Sequence, residues 1–259
     1  LTRAAVLAGT PGVVLVERDI GVLDTLTGSR PRSHKLVRRL ADAGHLHPVR
    51  RGVYVVVDNA GTVGADIFDL IDALTPRPYL VTAGRALQFH GLTDQHFRRI
   101  DVLVGAQLRH WSWRGSTVKY FNTTTSLRGF STRTRKTPAS IANPERAVAD
   151  SLDRPALGVT LFQVAEALDL LLNRDPASLD RLAVLTANAY SRALARRLGF
   201  LATTLAGGDA ARVFLPLVGK SMGATALLAG GPADGPVDPT WMVRVNVDPA
   251  LLLQHRERH

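Results

Sequence analysis

At 259 residues the chain exceeds the roughly 100–200 of an ordinary single domain, which predicts two. Hydrophobic residues make up 46% and charged residues 21%, excluding a disordered or fibrous chain, and the absence of cysteine excludes disulfide scaffolds, thiolate metal sites and cysteine nucleophiles. The net charge is +10, and its placement matters more than its size: residues 1–58 carry nine basic and five acidic groups, residues 59–76 three Asp, residues 77–136 eleven basic against two acidic, and the remainder twelve of each. Two basic blocks ahead of a neutral C-terminal part suggest a face for a polyanion, although a merely solvated basic surface would have the same composition.

No apolar run reaches the roughly 18 residues of a membrane span, so none is expected, and the absence of cysteine fits a cytoplasmic protein. Pro11 and Gly12 break the apolar opening, and no small-residue cleavage pattern follows. The chain opens on Leu1 rather than Met, which leaves open whether the native start is present.

Ala4, Ala5, Leu7 and Ala8 have helical spacing, Val13 to Val16 is a short β-branched run, and Ile20, Leu23 and Leu26 suggest a second helix ending at Gly28. A third helix is predicted from about Pro31, capped by Ser29 or Arg30, to Gly44. Leu36, Val37, Leu40 and Ala43 form its apolar stripe, which turns Pro31, His34, Lys35 and Arg38 outward with Arg32 and Arg39 at the edges, a basic face that only Asp42 at the C-terminal end breaks. Beyond Gly44 the period changes: Leu46, Val49, Val53, Val55 and Val57 mark two short strands joined around Arg50-Arg51-Gly52. A basic helix followed by a basic-tipped hairpin is the order of a winged helix-turn-helix, in which the helix enters the major groove and the wing reaches phosphate. The fold expected is therefore α+β: a winged helix-turn-helix over residues 1–60, then a larger mixed domain over residues 61–259 with a mainly helical second half. Candidate DNA contacts are His34, Lys35 and Arg38 for base edges, with Arg30, Arg32, Ser33, Arg39, Arg50 and Arg51 around them.

In the larger domain Asp66 to Leu74 reads as a helix with its three Asp on the wet side, and Ile100 to Val104 and Val118 to Phe121 read as strands. Between those strands, Arg109-His-Trp-Ser-Trp-Arg114 admits base stacking, but Trp111 and Trp113 are better read as packing in the core or rim of a sheet. Arg98, Arg99, Arg109, Arg114 and Lys119 make a second candidate nucleic-acid surface. Helices are expected at Pro144–Leu152, Leu161–Leu172, Ala177–Ala187 and Ala189–Leu198, the last closed by Gly199, and Trp241 to Val247 alternates like a late strand.

Four segments, in order, resemble the AbiEi family of antitoxins. They are Leu40 to Tyr54 with its G-V-Y ending, Tyr79 to Leu92 with its H-G-L ending, Asn143-Pro-Glu-Arg-Ala-Val-Ala-Asp-Ser-Leu152, and Arg196-Arg-Leu-Gly-Phe-Leu201. The resemblance implies a sequence-specific DNA-binding antitoxin of a toxin–antitoxin system. Such a protein represses its own operon at inverted repeats in the promoter and counteracts a nucleotidyltransferase toxin without a stable complex. The alternative is a winged-helix regulator that responds to a small ligand.

Enzymatic chemistry finds little support. Glu145 and Asp150 lie five apart on one helix and do not face each other squarely, and the histidines show no metal spacing. Gly219-Lys220-Ser221 resembles the end of a P-loop, but Phe214 stands where the loop's first Gly is required. Neither a catalytic residue, a metal nor a cofactor is expected.

Overall fold

The structure, a computed structural model, describes residues 12–16, 21, 24, 27–58, 60–127, 131–134, 137–219 and 223–257. The helix expected at Ala4 to Ala8 lies outside the described residues, as does most of the one expected from Glu17 to Leu26, of which Gly21 and Asp24 are helical. The architecture is α+β. Internal contacts divide the chain into a first unit of residues 1–77, 111–116 and 133–140 and a second unit of the rest.

The first unit is built on a three-stranded antiparallel sheet of order β1-β3-β2, with β1 at Val14–Leu15, β2 at Leu46–Arg50 and β3 at Val53–Val56. Helix α1, Arg30–Asp42, precedes β2. Leu15, Val37, Leu46 and Val56 form the core of this unit, flanked by Val13, Leu40, Ala41 and Tyr54. Burying such side chains contributes about 1.5–3 kcal/mol each, which is what seats α1 against the sheet. Helix α2, Ile67–Leu74, follows in the same unit. Its three Asp are not simply solvated: Asp66 accepts from the backbone N–H of Phe68 and Asp69, Asp69 accepts from that of Asp66, and Asp72 pairs with Arg77 at 2.5 Å.

A six-stranded sheet has the order β6-β7-β5-β4-β9-β8. Its strands are β4 (Tyr79–Thr82), β5 (Arg99–Val104), β6 (Trp111–Trp113), β7 (Ser116–Asn122), β8 (Ser131–Thr134) and β9 (Thr137–Ala142). Strand β4 runs antiparallel to β5 and parallel to β9, while β5 and β7 are parallel. Every residue of β4 is buried, consistent with a central strand. Helix α3 (Ala83–Phe89) follows β4 directly, and the helical half comprises α4 (Pro144–Asp153), α5 (Leu161–Arg174), α6 (Ser178–Ala189) and α7 (Arg192–Ala206).

Two C-terminal expectations are corrected. Gly199 does not close a helix; α7 runs through it to Ala206. The Trp241 ring lies so close that a Cβ at position 199 would sit 2.2 Å from it, so the glycine makes room for an indole rather than a turn. The strand expected from Trp241 to Val247 shrinks to Val243–Arg244, because Met242 takes a φ of +51° and Trp241 turns inward, donating from Nε1 to Thr203 Oγ1 at 2.9 Å. No helix among the described residues is long and apolar enough to cross a membrane.

Candidate nucleic-acid interface

Helix α1 starts where Ser29 adopts an extended conformation (φ −166°) and Pro31 occupies the first turn, a position where the missing N–H costs nothing. It ends in a Schellman motif. His45 N–H donates to the Leu40 carbonyl at 2.9 Å and Gly44 N–H to that of Ala41 at 3.0 Å, with Gly44 at φ +79°. That left-handed residue turns the chain straight into β2, which is why helix and hairpin follow without a loop.

The face that α1 buries is not the one its leucines suggest. Ser33 and Val37 are buried, with Leu40 and Ala41 partly so, whereas Leu36 is 38% exposed. Ser33 is therefore corrected from a DNA contact to an internal residue: its hydroxyl lies 2.7 Å from that of Thr27 and donates to the Ser29 carbonyl at 3.3 Å, locking the first turn. Centring the packed stripe on Ser33, Val37 and Leu40 rotates the outward face, so that Lys35 stands farthest from the core with Asp42 two turns along, Arg38 and Arg39 lie to either side, Arg32 comes next, and His34 moves toward the edge. Arg30, Arg32, His34, Lys35, Arg38 and Arg39 are all exposed. Arg32 donates to the Thr27 carbonyl at 3.4 Å. Among the described residues no carboxylate lies within ion-pair distance of Lys35, Arg38 or Arg39.

The hairpin between β2 and β3 pairs Leu46 with Val56, His47 with Val55, Pro48 with Tyr54 and Arg50 with Val53, with an irregularity between Pro48 and Arg50. Arg51 and Gly52, the latter at φ +73°, form its tip, and Arg50 and Arg51 are exposed.

The first unit has a second basic tip. Trp111 and Trp113 are half-buried on β6, in keeping with packing at the rim of a sheet, and the turn after them is Arg114-Gly115 with φ +46° and +77°. The Arg114 guanidinium lies 4.7 Å from the centre of the Trp113 ring, and that of Arg50 lies 5.7 Å from the centre of the Trp111 ring, both within cation–π range.

The other members of the second basic group differ in character. Arg98 and Arg109 are exposed and Lys119 is half-buried. Arg99 is half-buried and engaged within the protein: its Nε donates to Asp101 at 2.7 Å, Nη2 donates to the Ala156 carbonyl, and its guanidinium lies 5.6 Å from the Phe121 ring centre. Asp101 itself is buried, which pushes its carboxyl up to about 6 even though Arg99 and Lys119 act to lower it.

Glu145 and Asp150 do not form a carboxylate pair. Glu145 accepts from Arg181 at 2.7 Å. Asp150, wholly buried, accepts from Arg146 Nε at 3.0 Å, Thr82 Oγ1 at 2.8 Å and the Tyr190 hydroxyl at 2.5 Å. Burial and the Asp150 charge push the Tyr190 hydroxyl far up, so it stays a donor at any ordinary pH. With Asn143 capping Arg146 N–H and Arg146 Nη1 donating to the Ser126 carbonyl, this segment is an internal brace between α4, β4 and α6. Among the described residues no group of three or more His, Asp or Glu is placed to hold a metal ion.

No family model matches the sequence, and no curated protein does. The fold is similar to the crystal structure of the RV2827C protein from Mycobacterium tuberculosis, with a TM-score of 0.71 over 98% of this chain and 93% of that one at 15% identity. That likeness extends to the fold.

Proposed function

We propose that this protein is a sequence-specific DNA-binding repressor whose first unit is a winged helix-turn-helix, and that it serves as an AbiEi-like antitoxin controlling its own operon. One observation carries the reading: α1 packs by Ser33, Val37 and Leu40 and presents an exposed basic face of Arg32, Lys35, Arg38 and Arg39, interrupted only by Asp42 at its C-terminal end, directly ahead of a hairpin tipped by Arg50 and Arg51. The sheet order β1-β3-β2, with α1 between β1 and β2, supports it, being the arrangement in which a winged helix presents its third helix and its wing. In this reading Lys35, Arg38 and Arg39 meet base edges in the major groove, and Arg30, Arg32, Arg50 and Arg51 hold phosphates. The family resemblance supplies the antitoxin role, the inverted-repeat operator and the nucleotidyltransferase toxin as functional partner.

The test is fluorescence anisotropy of the chain on the promoter upstream of its own coding sequence, against a scrambled duplex. A preference of at least ~10³ for the promoter at physiological salt, lost in Lys35→Ala/Arg39→Ala, is the expected result. Equal binding to both duplexes with steep salt dependence refutes sequence-specific repression.

A second reading, a ligand-responsive regulator, draws on a partly open cavity of about 280 Å³ in the second unit, lined by Leu152, Val159, Leu161, Phe162, Val164 and Leu227 among others. Its size is at the lower end for small-molecule sites. A small apolar ligand that changed promoter affinity would favour this reading over the antitoxin.

A further inference from the structure

We propose that the Trp111–Ser116 hairpin is a second wing, which grips the phosphate backbone of the same duplex beside the Arg50-Arg51 tip. This rests on the DNA-binding reading above and extends it to a segment more than fifty residues beyond the first wing.

Three observations converge. First, Arg50 of the β2–β3 hairpin lies over the Trp111 ring at 5.7 Å, and both residues belong to the first unit, so the two tips share one surface. Second, the two tips have the same chemistry: Arg51-Gly52 in one and Arg114-Gly115 in the other, each with its glycine at positive φ. A turn with positive φ at both central residues matches strand twist but strongly prefers Asn, Asp or Gly at the first of them. Arginine at φ +46° is a strained choice there, the kind of local cost that persists where the side chain has a task. Third, the Arg114 cation is exposed and held over the Trp113 ring at 4.7 Å, and among the described residues no carboxylate lies within ion-pair distance of Arg50, Arg51 or Arg114. A guanidinium stacked on an indole keeps its outward N–H fork available and loses little freedom on meeting a phosphate.

The occupant is a duplex rather than a single strand. Stacking recognition needs open aromatic faces, and both indoles here are half-buried with an arginine already over each ring.

The test uses the full chain, with anisotropy on promoter and scrambled duplexes and on one separated promoter strand across a salt series, comparing wild type with Arg114→Asn and Arg114→Lys. Asparagine tolerates the left-handed turn, so Arg114→Asn removes the cation and leaves the hairpin intact. Arg114→Asn is expected to weaken binding to both duplexes by the same factor, about 3- to 10-fold, and to reduce the slope of log affinity against log salt by roughly 0.9, the value of one phosphate contact, while Arg114→Lys keeps the wild-type slope. If wild type binds the promoter through α1 and Arg114→Asn matches it in affinity and slope, the second wing is refuted while the repressor reading stands. A greater loss on single-stranded than on duplex DNA also refutes it. Wild type binding no duplex at all removes both proposals together.

Discussion

Lys35, Arg38 and Arg39 of α1 stand in solvent with no carboxylate within ion-pair distance among the described residues, whereas Arg146 of α4 is wholly buried, tied to Asp150 and lying 5.3 Å from the Tyr190 ring centre. The same side-chain chemistry is used in opposite ways. A buried guanidinium is tolerated only where its desolvation is offset by a partner, so Arg146, Asp150, Thr82 and Tyr190 stand or fall as one assembly. An exposed, unpaired guanidinium contributes almost nothing to folding, and its value lies in what it meets outside. Of the two charged segments, one is an internal scaffold and the other a presented surface, and residue type alone does not tell them apart.

Substitutions sharpen or break this contrast. The largest effect is expected at Asp150→Ala, which leaves Arg146 charged and buried without its carboxylate and should cost about 3–5 kcal/mol in urea denaturation. A loss below about 1 kcal/mol would mean that the assembly is not structural. Next is Gly199→Ala. A helical Gly→Ala change ordinarily stabilises by about 0.5–1 kcal/mol, but here the new methyl meets Trp241, and the same titration should show a loss of about 1–3 kcal/mol. The sign of the change decides whether packing or helix propensity rules that position.

Gly44→Ala should destabilise by about 1–2 kcal/mol through its left-handed backbone alone, since a Cβ there meets nothing within 4 Å. Hydrogen exchange should localise that loss to α1 and the first hairpin.

Asp101 gives a pH-dependent effect. Its folded value, about 6, lies above the unfolded one, so its stabilising contribution is complete below the unfolded pKa and is lost as pH rises through about 6. Asp101→Asn should therefore flatten the fall in melting temperature between pH 4 and pH 8, gaining relative to wild type only at the upper end. The smallest effect is expected at Arg39→Ala, within about 0.5 kcal/mol of wild type in stability. A large loss there would place Arg39 in the scaffold and end the contrast.

Much of the first unit was legible in the sequence because its signals are local. Pro31 and Gly44 bracket α1, and the change from helical to alternating period at Leu46 marks the hairpin. What sequence misplaced depends on distant contacts. Ser33 is a small polar residue that reads as solvent-facing until its hydroxyl is seen against Thr27, and Leu36 reads as core although the stripe turns it outward. Gly199 reads as a stop signal because the indole that requires it arrives more than forty residues later. Arg99 reads as one more surface cation, and only the structure shows its guanidinium already engaged by Asp101 and the Ala156 carbonyl. The helix motif around Glu145, Arg146 and Asp150 is recognisable as a pattern, but its role as a brace appears only when β4 supplies Thr82 and the residue just past α6 supplies Tyr190.

The central claim, that the solvated cations of α1 exist to hold DNA, is tested most directly by the salt dependence of duplex binding in Lys35→Ala/Arg38→Ala/Arg39→Ala, with its urea midpoint measured alongside. The account predicts an unchanged midpoint, loss of the preference for the promoter over a scrambled duplex, and a shallower slope of log affinity against log salt wherever one of the three residues also touches phosphate. A variant as stable as wild type that still selects the promoter with wild-type affinity and slope would contradict it.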